Sequence, residues 1–232
     1  MREAKVRDCL QAAKKAGLEI SQIIDVGIQH STPTLMEAFP NAHHYLFEPV
    51  EEYYPIIRRN YANMSSTLVE AAVSDIDGIL SLQTEKKTRG DEISHSYLTA
   101  RATETTRQVP VVKLDTYFQS AAARPPFLLK IDVEGPDVPS AILRGATNVL
   151  ESTSLVMIEM TVDTFMDRAL ILHQAGFDLW DVCDLCYYGN ALWQLDAMFV
   201  KRSLKQENIK LRPMREKPFR SELWQSGFDK AS

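Results

Sequence analysis

The sequence has few of the residues that stabilise small extracellular folds or build membrane spans. It contains three cysteines and nine glycines in 232 residues, which excludes a disulfide-rich scaffold and a collagen-like chain. No apolar run approaches the roughly 18 residues that a membrane-spanning helix needs. The N-terminal segment also lacks the apolar core of a signal peptide. We therefore expect a cytoplasmic protein with no membrane span.

An excess of basic charge is missing as well. The 26 lysines and arginines are outnumbered by 31 acidic residues, for a net charge of −5, which argues against nucleic acid as the main partner. The basic residues concentrate in residues 201–220, where eight of them accompany two acids. Two interpretations of this segment stay open: a docking surface for an acidic polymer, lipid headgroup or protein, and a solvated tail.

Helix and strand patterns alternate along the chain. Near-continuous apolar runs at residues 23–28 and 127–133 are separated by helix patterns, which is typical of a mostly parallel sheet covered on both faces. Two late runs, at residues 177–182 and 192–200, have a short link between them. They predict an antiparallel hairpin at one edge of the sheet.

The patterns predict one large domain over residues 1–202, followed by a basic tail over residues 203–232. Residues 67–73 read as a single strand. Residues 84–108 are polar and lack clear periodicity, so we expect a loop there, a variable insertion that serves as a lid.

Polar residues that end two consecutive strands indicate a nucleotide site. Asp25 and Gly27 end the first strand, and Glu48 ends the second, 23 positions after Asp25. Ligands of open α/β sheets bind beyond the carboxyl ends of the strands, and an acid at this spacing commonly accepts ribose hydroxyls. Gly27 would let the backbone approach the ligand. A turn former and a cap are the structural alternative, but the pair favours a ribose-containing ligand.

The first loop does not have the dinucleotide fingerprint. It reads G-I-Q-H-S over residues 27–31, without a second or third glycine, and those side chains would obstruct a pyrophosphate. A nicotinamide enzyme is therefore disfavoured. A cofactor with a ribose but no phosphate fits better, and S-adenosylmethionine is the common one of that kind.

Three ionisable residues share one side of the strand at residues 127–133. Lys130, Asp132 and Glu134 alternate along it, and charged groups at the end of a buried strand are costly unless they are paired or functional. The two carboxylates could receive a proton, bind a metal, or hold a sulfonium and its amino group. An internal salt bridge to Lys130 is the alternative.

Eight short blocks follow one another in order. They are I-I-D-V-G at 23–27, F-E-P at 47–49, A-V-S-D-x-x-G at 72–78, V-x-x-L-D at 111–115, L-L-K-I-D-V-E-G at 128–135, L-R-G-A at 143–146, I-E at 158–159 and Q-L-D-A-M-F-V at 194–200. With these blocks the chain resembles the FkbM-type methyltransferases over most of its length. The K-I-D-V-E-G block followed by L-R-G-A is the most specific part.

The resemblance implies a class I, Rossmann-like α/β fold. Its doubly wound sheet would have seven mostly parallel strands and an antiparallel edge strand. The implied activity is S-adenosylmethionine-dependent O-methylation of a hydroxyl on a sugar, a glycan or a glycosylated natural product. The alternative acceptor is a hydroxyl of a lipid or of a polyketide. A homodimer is one of the oligomeric states left open, and a divalent metal is not indicated.

The same resemblance assigns roles by motif. Asp25 and Gly27 would flank the methionine part of the cofactor, and Glu48 would hold the ribose. Ser74 and Asp75 would lie near the adenine, and Asp132 and Glu134 beside the transferring methyl. The remaining predicted cofactor-binding residues are Ile28, His30, Ser31 and Pro49.

An alcohol is a poor nucleophile near neutral pH, so a base should assist the transfer. The candidates are His30, His95, Asp132 and Glu134. We favour His95 over His30, because it lies in the polar segment that could close over the site, and we expect Asp132 in the site itself. The family loop D-V-G-A-N-x-G reads D-V-G-I-Q-H-S here, and this departure motivates another alternative, a non-catalytic binding subunit.

Overall fold

The computed structural model describes residues 4–85, 93, 95–99, 102–211 and 221. Within them the helices are α1 Val6–Lys15, α2 Pro33–Ala38, α3 Tyr54–Asn60, α4 Leu114–Ser120, α5 Val138–Arg144, α6 Thr147–Glu151, α7 Phe165–Gln174 and α8 Arg202–Glu207. The strands are β1 Gln22–Val26, β2 His43–Phe47, β3 Ser66–Val69, β4 Ala72–Val73, β5 Gly78–Glu85, β6 His95–Thr99, β7 Thr106–Val112, β8 Phe127–Ile131, β9 Thr153–Thr161, β10 Phe177–Tyr188 and β11 Ala191–Lys201. Short 3₁₀ turns lie at Glu51–Tyr53 and Ile209–Leu211.

Seven strands form the main sheet, in the order β10-β11-β9-β8-β1-β2-β3. The strands from β9 to β3 are parallel, and β11 runs antiparallel to both β9 and β10. The predicted class I arrangement is therefore confirmed. Val26 lies opposite both Phe47 and Ile131 in register, so β1, β2 and β8 end at the same level and place their following residues at one edge.

The core lies on both faces of this sheet. On one face, α1 and α2 bury Leu10 and Leu35 against Ile23 of β1. On the other face, α5, α6 and α7 pack against the alternate residues of β1, β8 and β9. All five residues of β1 and of β8 are buried, which explains why these strands read as continuous apolar runs rather than as alternating patterns.

A second sheet, in the order β4-β7-β5-β6, corrects two sequence expectations. Residues 67–73 form two strands of different sheets, because the chain turns after Val69 and Ala72–Val73 pairs with β7. The expected loop over residues 84–108 instead contains β6 and the beginning of β7. These strands are half-exposed and depend on long-range antiparallel pairing. Because their residues are only partly buried, they do not form a local apolar pattern that would predict a strand.

The beginning of the basic tail packs on the domain. Lys205 on α8 is 7% exposed and its ammonium lies 3.3 Å from the Asp178 carboxylate. Leu211 is buried in the core beside α1, and the Asn208 side chain donates to the carbonyl of Ala16. The solvated-tail interpretation is therefore wrong for residues 203–211, and the rest of that prediction, apart from residue 221, lies outside the described residues. No described helix is long and apolar enough to cross a bilayer.

Candidate cofactor and methyl-transfer site

A cavity of about 290 Å³ opens at the edge where β1, β2 and β8 end. It is lined by the residues that directly follow these strands, Gly27, Glu48 and Asp132, and by part of β6. The parallel register thus brings three distant sequence motifs to one place. This is the edge at which open α/β sheets bind their ligands.

Gly27 lets two of these strand ends touch. Its backbone has φ +81°, and a Cβ added there would lie 2.0 Å from the carbonyl oxygen of Asp132. The amide of Gly27 donates to the carbonyl of Phe47, and that of Asp132 donates to the carbonyl of Val26. Only glycine tolerates both this conformation and this approach, so the loop is held tightly between β2 and β8.

Glu48 is a buried carboxyl at the floor of the cavity, with 3% of its surface exposed. Its Oε2 accepts a hydrogen bond from the amide of Gln29 (2.8 Å), and its Oε1 accepts one from the amide of Val50 (2.9 Å). Burial raises its pKa to about 7 despite these two bonds. Each carboxylate oxygen keeps a second lone pair, so the group can still accept bonds from a ligand diol.

Lys130 forms salt bridges with two carboxylates, the buried Asp25 and the cavity-lining Asp132. Its ammonium lies 3.1 Å from Asp25 Oδ1 and 3.2 Å from Asp132 Oδ2. Burial opposes the charge on Lys130, but the two carboxylates outweigh it and raise its pKa. The salt bridge that the sequence offered as an alternative is present, and it fixes one oxygen of Asp132 while that side chain stays 45% exposed.

More acidic side chains continue from Asp132 along the sheet edge. Glu159 on β9 lies opposite Asp196 on β11. Burial and then the Asp132 carboxylate raise the pKa of Glu159 to about 8 and that of Asp196 to about 6. The 5% exposed Arg168 donates to the backbone carbonyls of Glu159 and Pro136, which ties the loop after β8 to β9.

Of the residues that the sequence singled out, one group lines the cavity: Gly27, Ile28, Ser31, Glu48, Pro49, Asp132 and Glu134. Asp25 lies behind it as the fully buried partner of Lys130. His30 stacks edge-on against Tyr53 at 4.8 Å between ring centroids and does not belong to the lining. His95 is the first residue of β6, and its side chain lies outside the described residues.

Ser74 and Asp75 lie away from the cavity lining. The Ser74 amide donates to the carbonyl of Val112, and a Cβ added at Gly145 would lie 2.3 Å from the carbonyl oxygen of Ser74. Asp75 accepts a hydrogen bond of 3.0 Å from Arg144. This motif packs against the L-R-G-A segment.

Sequence reasoning missed several cavity residues. Ala71, Ala72 and Val73 line it together with Leu82, and they carry no polar group that would attract notice. Tyr53 and the β6 residues Ser96, Tyr97 and Leu98 also line it. The position of Tyr53 five residues after Glu48 was a usable signal, whereas β6 became recognisable only through its pairing with β5. The described residues hold no cluster of three or more metal-ligating side chains.

Comparison with known proteins places this chain in a family. The model of the methyltransferase FkbM domain matches residues 21–179, which spans β1 through the start of β10. No protein of curated function matches the chain in sequence.

Three solved structures are similar to the chain at low identity. Precorrin-6y C5,15-methyltransferase from Geobacter metallireducens is 13% identical, covering 82% of this chain and 86% of that one, with a TM-score of 0.45. Aeropyrum pernix fibrillarin with natively bound S-adenosylmethionine is 12% identical (82% and 74%, 0.47). An rRNA methylase from Streptococcus thermophilus is 11% identical (83% and 94%, 0.48). Because the family model matches more than half of this chain, the chain belongs to the FkbM methyltransferase family.

Proposed function

We propose that this chain transfers a methyl group from S-adenosylmethionine to a hydroxyl of a sugar ring, in a glycan or a glycosylated small molecule. One observation carries the proposal: the buried carboxyl of Glu48 and the carboxyls of Asp132 and Glu134 line a single cavity at the carboxyl edge of the sheet. We name the part around Glu48 and Ala71–Val73 the ribose end. The part around Asp132, Glu134 and Tyr97 is the methyl end.

The residues of the ribose end fit the cofactor. Glu48 is oriented by two backbone amides, so its remaining lone pairs are positioned to accept the two ribose hydroxyls. Ala71, Ala72 and Val73 provide an apolar wall next to it, as a flat base requires.

The charges of the cavity also fit. Lys130 is the basic side chain in the described lining, and two carboxylates already hold it. A pyrophosphate would therefore meet carboxylates rather than the free amides and cations it needs. A sulfonium and an ammonium group are complementary to the same surface.

S-adenosylmethionine supplies an activated methyl group for in-line displacement when it is bound. The protein's task is to align the acceptor hydroxyl and to receive its proton. Lys130 holds Oδ2 of Asp132 and thereby orients that carboxylate at the cavity mouth. We assign Oδ1 of Asp132 as the atom that accepts the proton, with Glu134 beside it.

The altered loop keeps a working geometry, which supports an enzyme over a non-catalytic subunit. Gln29, where the related loops carry Asn, adopts φ +55°, a left-handed conformation that Asn tolerates better than Gln. Its backbone amide nevertheless donates a hydrogen bond of 2.8 Å to the Glu48 carboxylate. The substitution therefore preserves the contact that orients the ribose-binding carboxylate.

Two measurements test the function. Calorimetry with S-adenosylmethionine and S-adenosylhomocysteine should show binding, which Glu48→Ala weakens about tenfold or more, since it removes two charge-assisted hydrogen bonds. Glu51→Gln is the matched control, because this nearby side chain is 75% exposed and lies outside the lining. Equal affinity of Glu48→Ala and wild type would remove the ribose assignment.

Transfer of radiolabelled methyl to a panel of acceptors tests the second half. The panel contains methyl glycosides, a fatty alcohol, a macrolactone and an RNA oligonucleotide. We expect labelled glycoside, and about a hundredfold lower rate in Asp132→Asn because the base is lost. Labelling of the RNA or of the fatty alcohol instead would replace the sugar acceptor, and full activity of Asp132→Asn would exclude it as the base.

A further inference from the structure

One wall of the methyl end comes from the smaller, four-stranded sheet and not from the seven-stranded main sheet. β6 is the edge strand of the smaller sheet and pairs with β5. Three consecutive residues of it, Ser96, Tyr97 and Leu98, line the cavity together with Asp132 and Glu134. A bound acceptor would therefore lie between β6 and the loop that follows β8.

Tyr97 of β6 lies close to the loop after β8. A Cβ added at Gly135, which has φ +105°, would lie 3.7 Å from the Cβ of Tyr97. The Tyr97 hydroxyl donates to Glu85 Oε1 at 3.3 Å, so its polar end is held by the neighbouring strand β5. This leaves the aromatic ring as the part of the side chain that is available to a ligand.

The position of β6 is also linked to the loop after β1, residues 27–31. The hydroxyl of Tyr53 donates to the backbone carbonyl of Ile93, two residues before β6. The side-chain amide of Gln29 donates to the same hydroxyl at 3.5 Å, and the His30 ring packs edge-on against the Tyr53 ring. The wall and the ribose end are thus connected through one tyrosine.

Charge restricts what the wall can hold. Two acidic side chains, Asp132 and Glu134, line this part of the cavity. Phosphorylated or polyanionic acceptors would be repelled there. Neutral hydroxyls can donate to the carboxylates, while an aromatic ring packs against the apolar face of a sugar.

We propose that Tyr97 packs against the sugar ring of an unphosphorylated acceptor and orients its hydroxyl toward Asp132. This inference rests on the proposed function, since it names the specificity-determining residue and the acceptor class of that site. Tyr97 acts through its ring and not through its hydroxyl. Its loss therefore affects acceptor binding and leaves the ribose end intact.

The test measures acceptor binding separately from catalysis. Wild type, Tyr97→Phe and Tyr97→Leu, each saturated with S-adenosylhomocysteine, are titrated by NMR with the methyl glycosides of glucose, galactose, mannose and rhamnose, and with glucose 6-phosphate. We expect at least one methyl glycoside to bind wild type and Tyr97→Phe alike, and to bind Tyr97→Leu about fivefold to tenfold more weakly. Glucose 6-phosphate should bind none of them.

Affinity for S-adenosylhomocysteine is the internal control, and it should change less than about twofold in both variants. If Tyr97→Leu lost as much affinity for S-adenosylhomocysteine as for the glycoside, the Tyr97 ring would contact the cofactor instead of the acceptor, and the proposal would be overturned. Unchanged glycoside binding in Tyr97→Leu, binding of glucose 6-phosphate, or no glycoside binding by wild type would also overturn it. Failure of the proposed methyl transfer is seen independently, as absence of cofactor binding or of labelled product in wild type.

Discussion

The ribose end and the methyl end of the cavity each present a carboxylate that follows a parallel strand, Glu48 after β2 and Asp132 after β8. Glu48 is 3% exposed and accepts hydrogen bonds from two backbone amides. Asp132 is 45% exposed and is oriented by a side chain, Lys130. Backbone atoms thus fix the first carboxylate, and charged side chains fix the second.

The difference separates two tasks. A site built from backbone amides and buried strand ends changes little when surface residues are replaced, which suits a cofactor that every turnover requires. The methyl end combines exposed carboxylates with a strand from the smaller sheet, so its shape can vary with the acceptor. We therefore expect substitutions at the ribose end to affect cofactor affinity, and those at the methyl end to affect acceptor choice.

The largest effect is expected where the two ends meet, at Gly27. Gly27→Ala would combine a strained positive φ with a Cβ 2.0 Å from the Asp132 carbonyl oxygen, and should lower the free energy of unfolding by about 5 kcal/mol. Gly189→Ala is the matched control, because Gly189 has φ +60° with nothing within 4 Å, and it should cost about 1 kcal/mol. Urea denaturation of both variants measures the difference. Equal destabilisation would show that strain alone matters and that the close approach does not.

Lys130 connects the ends electrostatically and should have the next largest effect. Lys130→Met leaves the fully buried Asp25 carboxylate without its cation, which should cost about 3 to 5 kcal/mol. The double variant Lys130→Met, Asp25→Asn should recover most of this loss, because no unpaired charge stays buried. Chemical denaturation near pH 7 compares the three proteins. A single variant as stable as wild type would contradict a structural role for the pair.

The pH dependence of stability tests the burial of the ribose end. The pKa of Glu48 rises from 4.5 to about 7 on folding, so between these values the folded state holds a proton that the unfolded chain has released. The free energy of unfolding therefore falls as pH rises through this window, by up to about 3 kcal/mol. Denaturation at several pH values should show a steeper fall in wild type than in Glu48→Gln, because the variant lacks the contribution of this carboxyl.

Other groups do not confuse that comparison. Glu159, with its pKa raised to about 8, contributes a slope of the same sign to both proteins and cancels in their difference. Glu51→Gln, at an exposed position, should keep the wild-type slope. Parallel profiles for wild type and Glu48→Gln would show that Glu48 is solvated in solution.

For a physical reason, the sequence located the residues that follow the parallel strands better than it located the walls of the cavity. Gly27, Glu48 and Asp132 directly follow buried parallel strands, so the strand pattern alone places them at one edge. Tyr97 lies on a half-exposed strand whose position depends on pairing with β5, far from any apolar run. Polar residues 84–108 therefore read as a loop, although part of them forms a wall of the cavity.

Motif resemblance has a similar limit at Asp25 and Asp75. Both belong to matching blocks, but Asp25 is fully buried against Lys130 and is not part of the cavity lining, and Asp75 bonds to Arg144. A motif places a residue next to a strand end, whereas the direction of its side chain depends on packing that one sequence does not reveal.

The smallest effect is expected for a substitution at Asp75, which is close in sequence to the ribose end but does not line the cavity. The Asp75–Arg144 pair has side chains that are 35% and 53% exposed, and surface ion pairs contribute less than about 1 kcal/mol. Asp75→Asn should therefore change the affinity for S-adenosylmethionine less than about twofold, measured by calorimetry beside Glu48→Ala. A tenfold loss in Asp75→Asn would instead put its carboxylate in contact with the adenine, as the motif predicts, and would require the segment after β4 to turn toward the cavity when the cofactor binds.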